Sequence, residues 1–199
     1  MPSLRIELKR HTHQAHENLG SLYPLCNMQH ATTASVYFDS IQLLFHWHRA
    51  FETHFSGILA LAEYKTYEIA GLSTLLHREL LDTGIEKYAL QGTNLELKIG
   101  HNDAMNHSYF MGWLYVILGS SMGAIELHNN LSKHRFYKDL SCPYYSKMAD
   151  YSKYWIVFQE HLEQHLNHDE FVLENVLLGA TDGFASLISM QQQLYSELK

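Results

Sequence analysis

Apolar side chains recur along this chain at the spacing of one helix face, whereas the alternating runs typical of strands are scarce. One apolar stripe predicts a first helix over about residues 3–18, which Gly20 closes. A broader apolar face predicts a second helix over residues 31–58, with Thr32 or Thr33 as its cap. Because nearly all the patterning has this period, it constrains the chain to an all-α fold.

The same spacing continues through the second half of the chain, with one irregularity. A helix over residues 102–131 contains the sequence Gly-Ser-Ser-Met-Gly at residues 119–123, and we expect it to be interrupted there. Further helices are expected over residues 71–82, 144–166 and 168–198. The sequence therefore predicts a single all-α domain over residues 1–199, a multi-helix bundle of six to eight helices.

Composition narrows the class of protein. The chain is 46% hydrophobic and 18% charged, which is too apolar for intrinsic disorder, and its net charge of −7 argues against nucleic acid as a ligand. The longest uncharged apolar run, Met111–Gly119, is shorter than the roughly 20 residues of a membrane-spanning helix. The chain does not open on a signal peptide, so we expect a cytoplasmic protein. Cys26 and Cys142 suggest neither a disulfide framework nor a metal-binding pair.

Fifteen histidines raise the question of a metal or haem site, and one of them has suitable neighbours. In the first helix, Lys9, Thr12 and His16 fall on one narrow stripe together with Arg5. Lys9 lies about 10 Å before His16 along the helix axis. A neutral imidazole with cations at that distance suits haem, whose iron takes a nitrogen ligand and whose propionates attract cations. A surface helix with a solvated basic face is the alternative interpretation.

The glycine-containing helix is the other informative stretch. Gly119 and Gly123 leave one helix face without side chains, so that a flat ligand can approach the backbone closely. Tight packing of another helix is the alternative. Residues 119–123 also satisfy Gly-x-Ser-x-Gly, the nucleophile elbow of serine hydrolases, with Ser121 as the nucleophile. That motif needs a strand–turn–helix within an α/β sheet, and the sequence predicts no series of βα units.

These two stretches carry a resemblance to the haem oxygenases. The segment Leu8–Glu17 resembles the opening helix of that family, whose pattern Leu-x-x-x-Thr-x-x-x-His places the proximal iron ligand at His16. Residues 115–124 are similar to the distal helix of the bacterial haem oxygenases found with bacterial phytochromes. The matching positions are Tyr115, Val116, Gly119, Ser120 and Gly123. Leu118 and Ala124 depart from the family pattern, and a methyl group at Ala124 narrows the expected oxygen pocket.

The resemblance implies a haem-oxygenase-like bundle in which haem is cofactor and substrate together. Haem would lie between the two helices, with His16 on the iron and O2 on the side of Gly119 and Gly123, where Ser120 steers water. Further residues that the resemblance places at the haem are Lys9, Thr12, His13, Tyr115 and Ala124. The implied reaction cleaves haem to biliverdin, carbon monoxide and ferrous iron, with electrons from a ferredoxin, a flavodoxin or a reductase.

Other interpretations stay open beside this one. Many haem oxygenases direct a cation of a late helix to the propionates, whereas the nearest cations here are Lys147 and Lys153. A haem-binding or haem-sensing protein without turnover fits the same residues. A haem-free relative, such as a di-iron oxidase or a thiaminase-like protein, would share the fold. His161, His165 and His168 share a helix face and could gather a metal, although the chain lacks the Glu-x-x-His pairs typical of di-iron sites.

Overall fold

The computed structural model describes residues 4–26, 33–82, 106–141, 143–165 and 172–197. Within these residues the helices follow the apolar periodicity of the sequence. These residues form ten α-helices and one 3₁₀-helix and contain no strand, which confirms the all-α prediction. In chain order the elements are α1 (Leu4–Leu22), the 3₁₀-helix Pro24–Cys26, α2 (Ala34–His54), α3 (Ser56–Leu59), α4 (Ala62–Lys65), α5 (Leu72–Asp82), α6 (His107–Leu131), α7 (Arg135–Lys138), α8 (Tyr144–Asp150), α9 (Ser152–His165) and α10 (Leu173–Glu197).

The apolar helix α6 forms the centre of the fold, with α10, α8 and α9 packed against it. Its side chains Phe110, Trp113 and Leu114 are fully buried, and the buried apolar side chains of the other helices join them in one contiguous core. Helix α1 packs on α10, and α2 packs on α5. By length and composition alone α6 could cross a membrane, yet 56% of its apolar window is buried inside the fold, as in a core helix of a folded domain.

Glycine allows α6 and α10 to approach one another closely. A Cβ atom added to Gly112 would lie 2.1 Å from the carbonyl oxygen of Val176, and one added to Gly179 would lie 2.0 Å from that of Tyr109. Only hydrogen atoms fit at these two positions, so the two helix backbones meet there. The contact fixes the position of α6, which carries one wall of the site described below.

Two helix ends differ from the sequence prediction. Gly20 does not close the first helix, because α1 continues to Leu22, and a Cβ atom at Gly20 would meet nothing within 4 Å. The second helix begins at Ala34 rather than at residue 31, and its cap is Thr33, one of the two predicted caps, whose hydroxyl oxygen accepts a hydrogen bond from the Val36 N–H at 3.3 Å. It does not run to residue 58, because Phe55 leaves helical geometry (φ −97°, ψ 19°) and is fully buried between α2 and α6. Aromatic packing overrides local helix propensity there.

The predicted interruption of α6 is wrong. Helical geometry is continuous through residues 119–123, because the packing of three neighbouring helices offsets the cost of two interior glycines, about 1 kcal/mol each. The helix predicted over residues 144–166 is instead divided at Tyr151, whose buried hydroxyl donates to the Glu68 carbonyl oxygen at 2.6 Å. The predicted starts at residues 102 and 168 lie outside the described residues.

Candidate functional site

A cavity of about 530 Å³ lies between α1 and α6, and side chains of α8, α9 and α10 complete its walls. Most of its lining is aromatic or aliphatic, including Trp47, Trp155 and Phe184. A volume of this size and a mainly apolar wall with a few polar groups are typical of small-molecule and cofactor sites. Every residue that the sequence predicted at the site lies in this wall; the residues are Lys9, Thr12, His13, His16, Tyr115, Gly119, Ser120, Gly123 and Ala124.

The α1 wall presents an imidazole to the cavity. His16 is exposed, and its ring packs edge-on against Phe184, with 5.9 Å between the ring centroids. Within the described part of the chain, no hydrogen bond or ion pair engages its ring nitrogens. His13, one turn earlier, differs, because its Nε2 lies 3.4 Å from a carboxylate oxygen of Glu17. His16 therefore has both ring nitrogens available to bind a metal ion, whereas Nε2 of His13 lies beside a carboxylate.

Thr12 and Tyr115 join α1 to α6 beside His16. The buried Thr12 hydroxyl donates to the Leu8 carbonyl oxygen at 2.8 Å and also hydrogen-bonds Tyr115. Burial raises the pKa of Tyr115, and the Thr12 bond and the charge of Arg5 offset part of that rise. The Thr12 proton is committed to Leu8, and the contact between Thr12 and Tyr115 joins the two helices.

The α6 wall is bare backbone at one of the two predicted glycines, Gly123, and the other, Gly119, lies against Trp155. A Cβ atom added to Gly123 would meet nothing within 4 Å, so the backbone there borders open space. At Gly119 an added Cβ atom would touch the Trp155 indole at 3.5 Å, an ordinary van der Waals contact. Ala124 is 3% exposed, so its methyl group is packed into the wall. A planar ligand can lie against this stretch of helix.

The serines of the glycine-containing stretch bond to their own helix. The Ser120 hydroxyl donates to the Ile117 carbonyl oxygen at 2.7 Å, and the fully buried Ser121 hydroxyl donates to that of Leu118 at 2.6 Å. Ser121 therefore lies inside a continuous helix rather than on a strand–turn–helix, and the serine-hydrolase interpretation is wrong. Ser120 faces the cavity side, where its oxygen can still accept a hydrogen bond.

Sequence reasoning missed the cavity floor, which is a group of tyrosines backed by buried polar residues. The Tyr23 and Tyr145 hydroxyls lie 2.7 Å apart, and the Tyr144 hydroxyl lies 2.9 Å from Nε2 of His48. Burial lowers the pKa of His48 to about 3, so its ring is neutral. Glu79 accepts a hydrogen bond from the Tyr144 N–H at 2.7 Å. No local motif could have revealed this group, because its members come from separate parts of the chain.

Positive charge is sparse around the cavity. Among the lining residues in the described ranges, Lys9 is the one lysine or arginine. The two cations predicted from the late helices do not line the cavity: Nζ of Lys147 lies 3.7 Å from a Glu68 carboxylate oxygen, and that of Lys153 lies 4.6 Å from the centroid of the Tyr154 ring. Lys9 is thus the structure's candidate for binding an anionic group at the cavity edge.

The histidine cluster of α9 bonds to neighbouring residues. Nδ1 of His161 lies 2.8 Å from the Tyr67 hydroxyl, and Nδ1 of His165 lies 2.9 Å from the His161 carbonyl oxygen. The third member, His168, lies outside the described residues. No group of three or more His, Cys, Asp or Glu that could hold a metal ion is found within the described ranges.

No protein-family model matches this chain, and comparisons with curated proteins and with solved structures gave no significant match either.

Proposed function

We propose that this protein is a haem oxygenase with a haem-oxygenase-like helical bundle, in which haem binds between α1 and α6. The observation that carries the proposal is the cavity in which His16, with no partner among the described residues, and the bare backbone at Gly123 belong to the same lining. The sequence resemblance concerned the same two helices, and the fold brings them together around one space.

The residues present fit haem. The porphyrin is a flat apolar ring with an iron centre and two anionic edge groups, and the cavity supplies a matching chemistry for each. Aromatic and aliphatic lining side chains would cover the ring, the His16 nitrogen would bind the iron, and Lys9 would bind a propionate. A neutral imidazole nitrogen is the ligand form that haem iron takes from a histidine.

Bound haem supplies both the iron that activates O2 and the ring carbon that is oxidised, so that biliverdin, carbon monoxide and ferrous iron result. The chain's own residues orient the ring and control the space around it. The bare backbone at Gly123 would leave room for O2 and water on the α6 side of a bound haem, whereas Gly119 makes room for the Trp155 indole. The Ser120 oxygen, whose proton is bound to Ile117, accepts a hydrogen bond from water at that face. Electrons come from a ferredoxin, a flavodoxin or a reductase.

The proposal is tested by following the absorption spectrum through a titration and a reduction. One equivalent of haem is expected to give a saturable Soret band. Addition of ascorbate, or of a ferredoxin with its reductase, is then expected to replace the haem absorbance by the biliverdin band. A protein that shows no stoichiometric Soret band is not a haem oxygenase. Catalase is included in the assay to remove free peroxide. Haem loss that persists in its presence is therefore not non-enzymatic bleaching by peroxide.

One observation favours a second candidate, a haem-binding or haem-sensing protein without turnover. Lys9 is the one cation among the described lining residues, and the hydroxyl protons of Ser120 and Ser121 are committed to their own helix. Such a wall can hold haem yet deliver protons slowly. A stable Soret band with a ferrous–O2 complex that persists under reductant would favour this candidate over the oxygenase.

A further inference from the structure

Tyr144, in the cavity floor, is held in place from two directions. Its backbone N–H donates to a carboxylate oxygen of Glu79 at 2.7 Å, and its hydroxyl lies 2.9 Å from Nε2 of His48. Pro143, the residue before α8, makes no side-chain cap, so Glu79 of α5 caps this helix instead. Tyr144 is 3% exposed and lines the cavity. Both its backbone and its hydroxyl are therefore positioned by polar groups from other helices.

The surroundings of His48 decide which way the hydroxyl bond runs. His48 is 1% exposed, and its Nδ1 is buried with no hydrogen-bond partner in the described part of the structure. A neutral imidazole carries its proton on one nitrogen only. A buried N–H without a partner is rarer in proteins than a buried acceptor without one. The proton therefore belongs on Nε2, which donates to the Tyr144 oxygen.

This direction leaves the Tyr144 proton available. The other hydroxyl protons next to the α1 and α6 walls are used inside the protein: Thr12 donates to Leu8, and Ser120 donates to Ile117. Burial raises the pKa of Tyr144 well above its ordinary value, which favours the protonated hydroxyl.

We infer that the Tyr144 hydroxyl is a hydrogen-bond donor that the site directs at its ligand, and that His48 and Glu79 are the residues that position it. Helix α8 packs against α6, the helix whose backbone is bare at Gly123. The donor therefore faces a ligand on the α6 side. This inference rests on the proposed function: in the haem-loaded protein, the acceptor is a small ligand on the iron face opposite His16.

The experiment uses carbon monoxide as the probe on the ferrous haem protein and measures the C–O stretching frequency in the infrared. A donor that points at the bound molecule lowers this frequency, so Tyr144→Phe is expected to shift the band to higher wavenumber. Tyr145→Phe is the matched control, because Tyr145 is the neighbouring floor tyrosine and its hydroxyl pairs with Tyr23 at 2.7 Å. We expect the control to leave the band in place.

His48→Phe tests the positioning role, because it removes the ring nitrogen that fixes the hydroxyl. The band is expected to broaden and to shift in the same direction as in Tyr144→Phe. A wild-type measurement in D2O needs no substitution and is expected to shift the band, since the donor proton exchanges. That result keeps the inference open to test even where Tyr144→Phe does not fold.

The possible failures are distinct. Absence of a Soret band in the wild-type protein overturns the proposed function and this inference with it. A normal Soret band with the same C–O frequency in wild type and Tyr144→Phe overturns the inference alone. A band shift in Tyr145→Phe without one in Tyr144→Phe would show that Tyr145, not Tyr144, is the donor. That result also contradicts the inference.

Discussion

Glu79 is a carboxyl group in the core, 2% exposed, that accepts hydrogen bonds from the Tyr37 hydroxyl and from the Tyr144 N–H. Burial raises its pKa to about 7, and the two hydrogen bonds offset only part of that rise. His48 is buried nearby with its pKa lowered to about 3. Burying two ionisable side chains behind one tyrosine costs stability. Both side chains hydrogen-bond Tyr144, His48 at the hydroxyl and Glu79 at the backbone N–H, and so fix its position.

The pKa of Glu79 predicts how stability depends on pH. Because the folded-state pKa is raised above the unfolded value, the stabilising contribution is complete below about pH 4.5 and is lost as pH rises through about 7. Glu79→Gln keeps the shape without the ionisation. Between pH 5 and 8, we expect the unfolding free energy of the wild type to fall by roughly 3 kcal/mol relative to this variant, measured by urea denaturation. Parallel pH profiles for the two proteins would contradict the raised pKa.

His48 acts in the opposite direction. Because its folded-state pKa is depressed, its contribution is complete above pH 6.5 and is lost as pH falls toward about 3. Between pH 4.5 and 6.5, the Glu79 and His48 effects partly cancel in the wild type. The Glu79→Gln variant lacks that compensation, so its urea midpoint is expected to drop more steeply below pH 6.5. A urea midpoint of Glu79→Gln that stays level over this interval would argue against a neutral buried His48.

At the scale of helices, the contact between α6 and α10 depends on glycine. A Cβ atom at Gly112 would overlap the Val176 carbonyl oxygen, whereas one at Gly123 would enter open space. Gly112→Ala is expected to cost about 3 kcal/mol or more, because the two backbones must separate. Gly123→Ala is the matched control on the same helix and is expected to stabilise the protein by up to about 1 kcal/mol through helix propensity. Thermal unfolding compares the two, and equal melting temperatures would contradict the close approach.

The helix faces could be predicted from the sequence, whereas the helix ends and the interhelical partners could not. Apolar period alone located α1, α2, α5, α6 and α10, since each buries a continuous face. The helices break at Phe55 and Tyr151, neither of which is a proline or a glycine. Contacts with Phe110 and with the Glu68 carbonyl group, both distant in sequence, accompany these breaks, so the local sequence did not predict them. His16 and Gly123 carried local motifs that predicted the site. Tyr144 carried none, because its role depends on residues that are distant in sequence.

At the scale of the whole molecule, ligand binding and stability are linked. A ligand that binds only the folded state, present at 100 times its dissociation constant, adds about 2.7 kcal/mol of stability. For a chain of 199 residues, that gain corresponds to a rise of about 5–10 °C in melting temperature. We expect haem to raise the melting temperature of the wild type by this amount. Calorimetry with and without haem measures the rise, and an unchanged melting temperature at saturating haem would contradict binding in the cavity.

The central claim is that His16 holds the iron of a haem bound between α1 and α6, and one titration tests it. Haem is added to the wild type, to His16→Ala and to His11→Ala; His11 is an exposed histidine of the same helix that does not line the cavity. We predict that His16→Ala loses the Soret band of the wild type and regains it when free imidazole is added, whereas His11→Ala binds haem normally. The same Soret band and haem affinity in all three proteins would contradict the account.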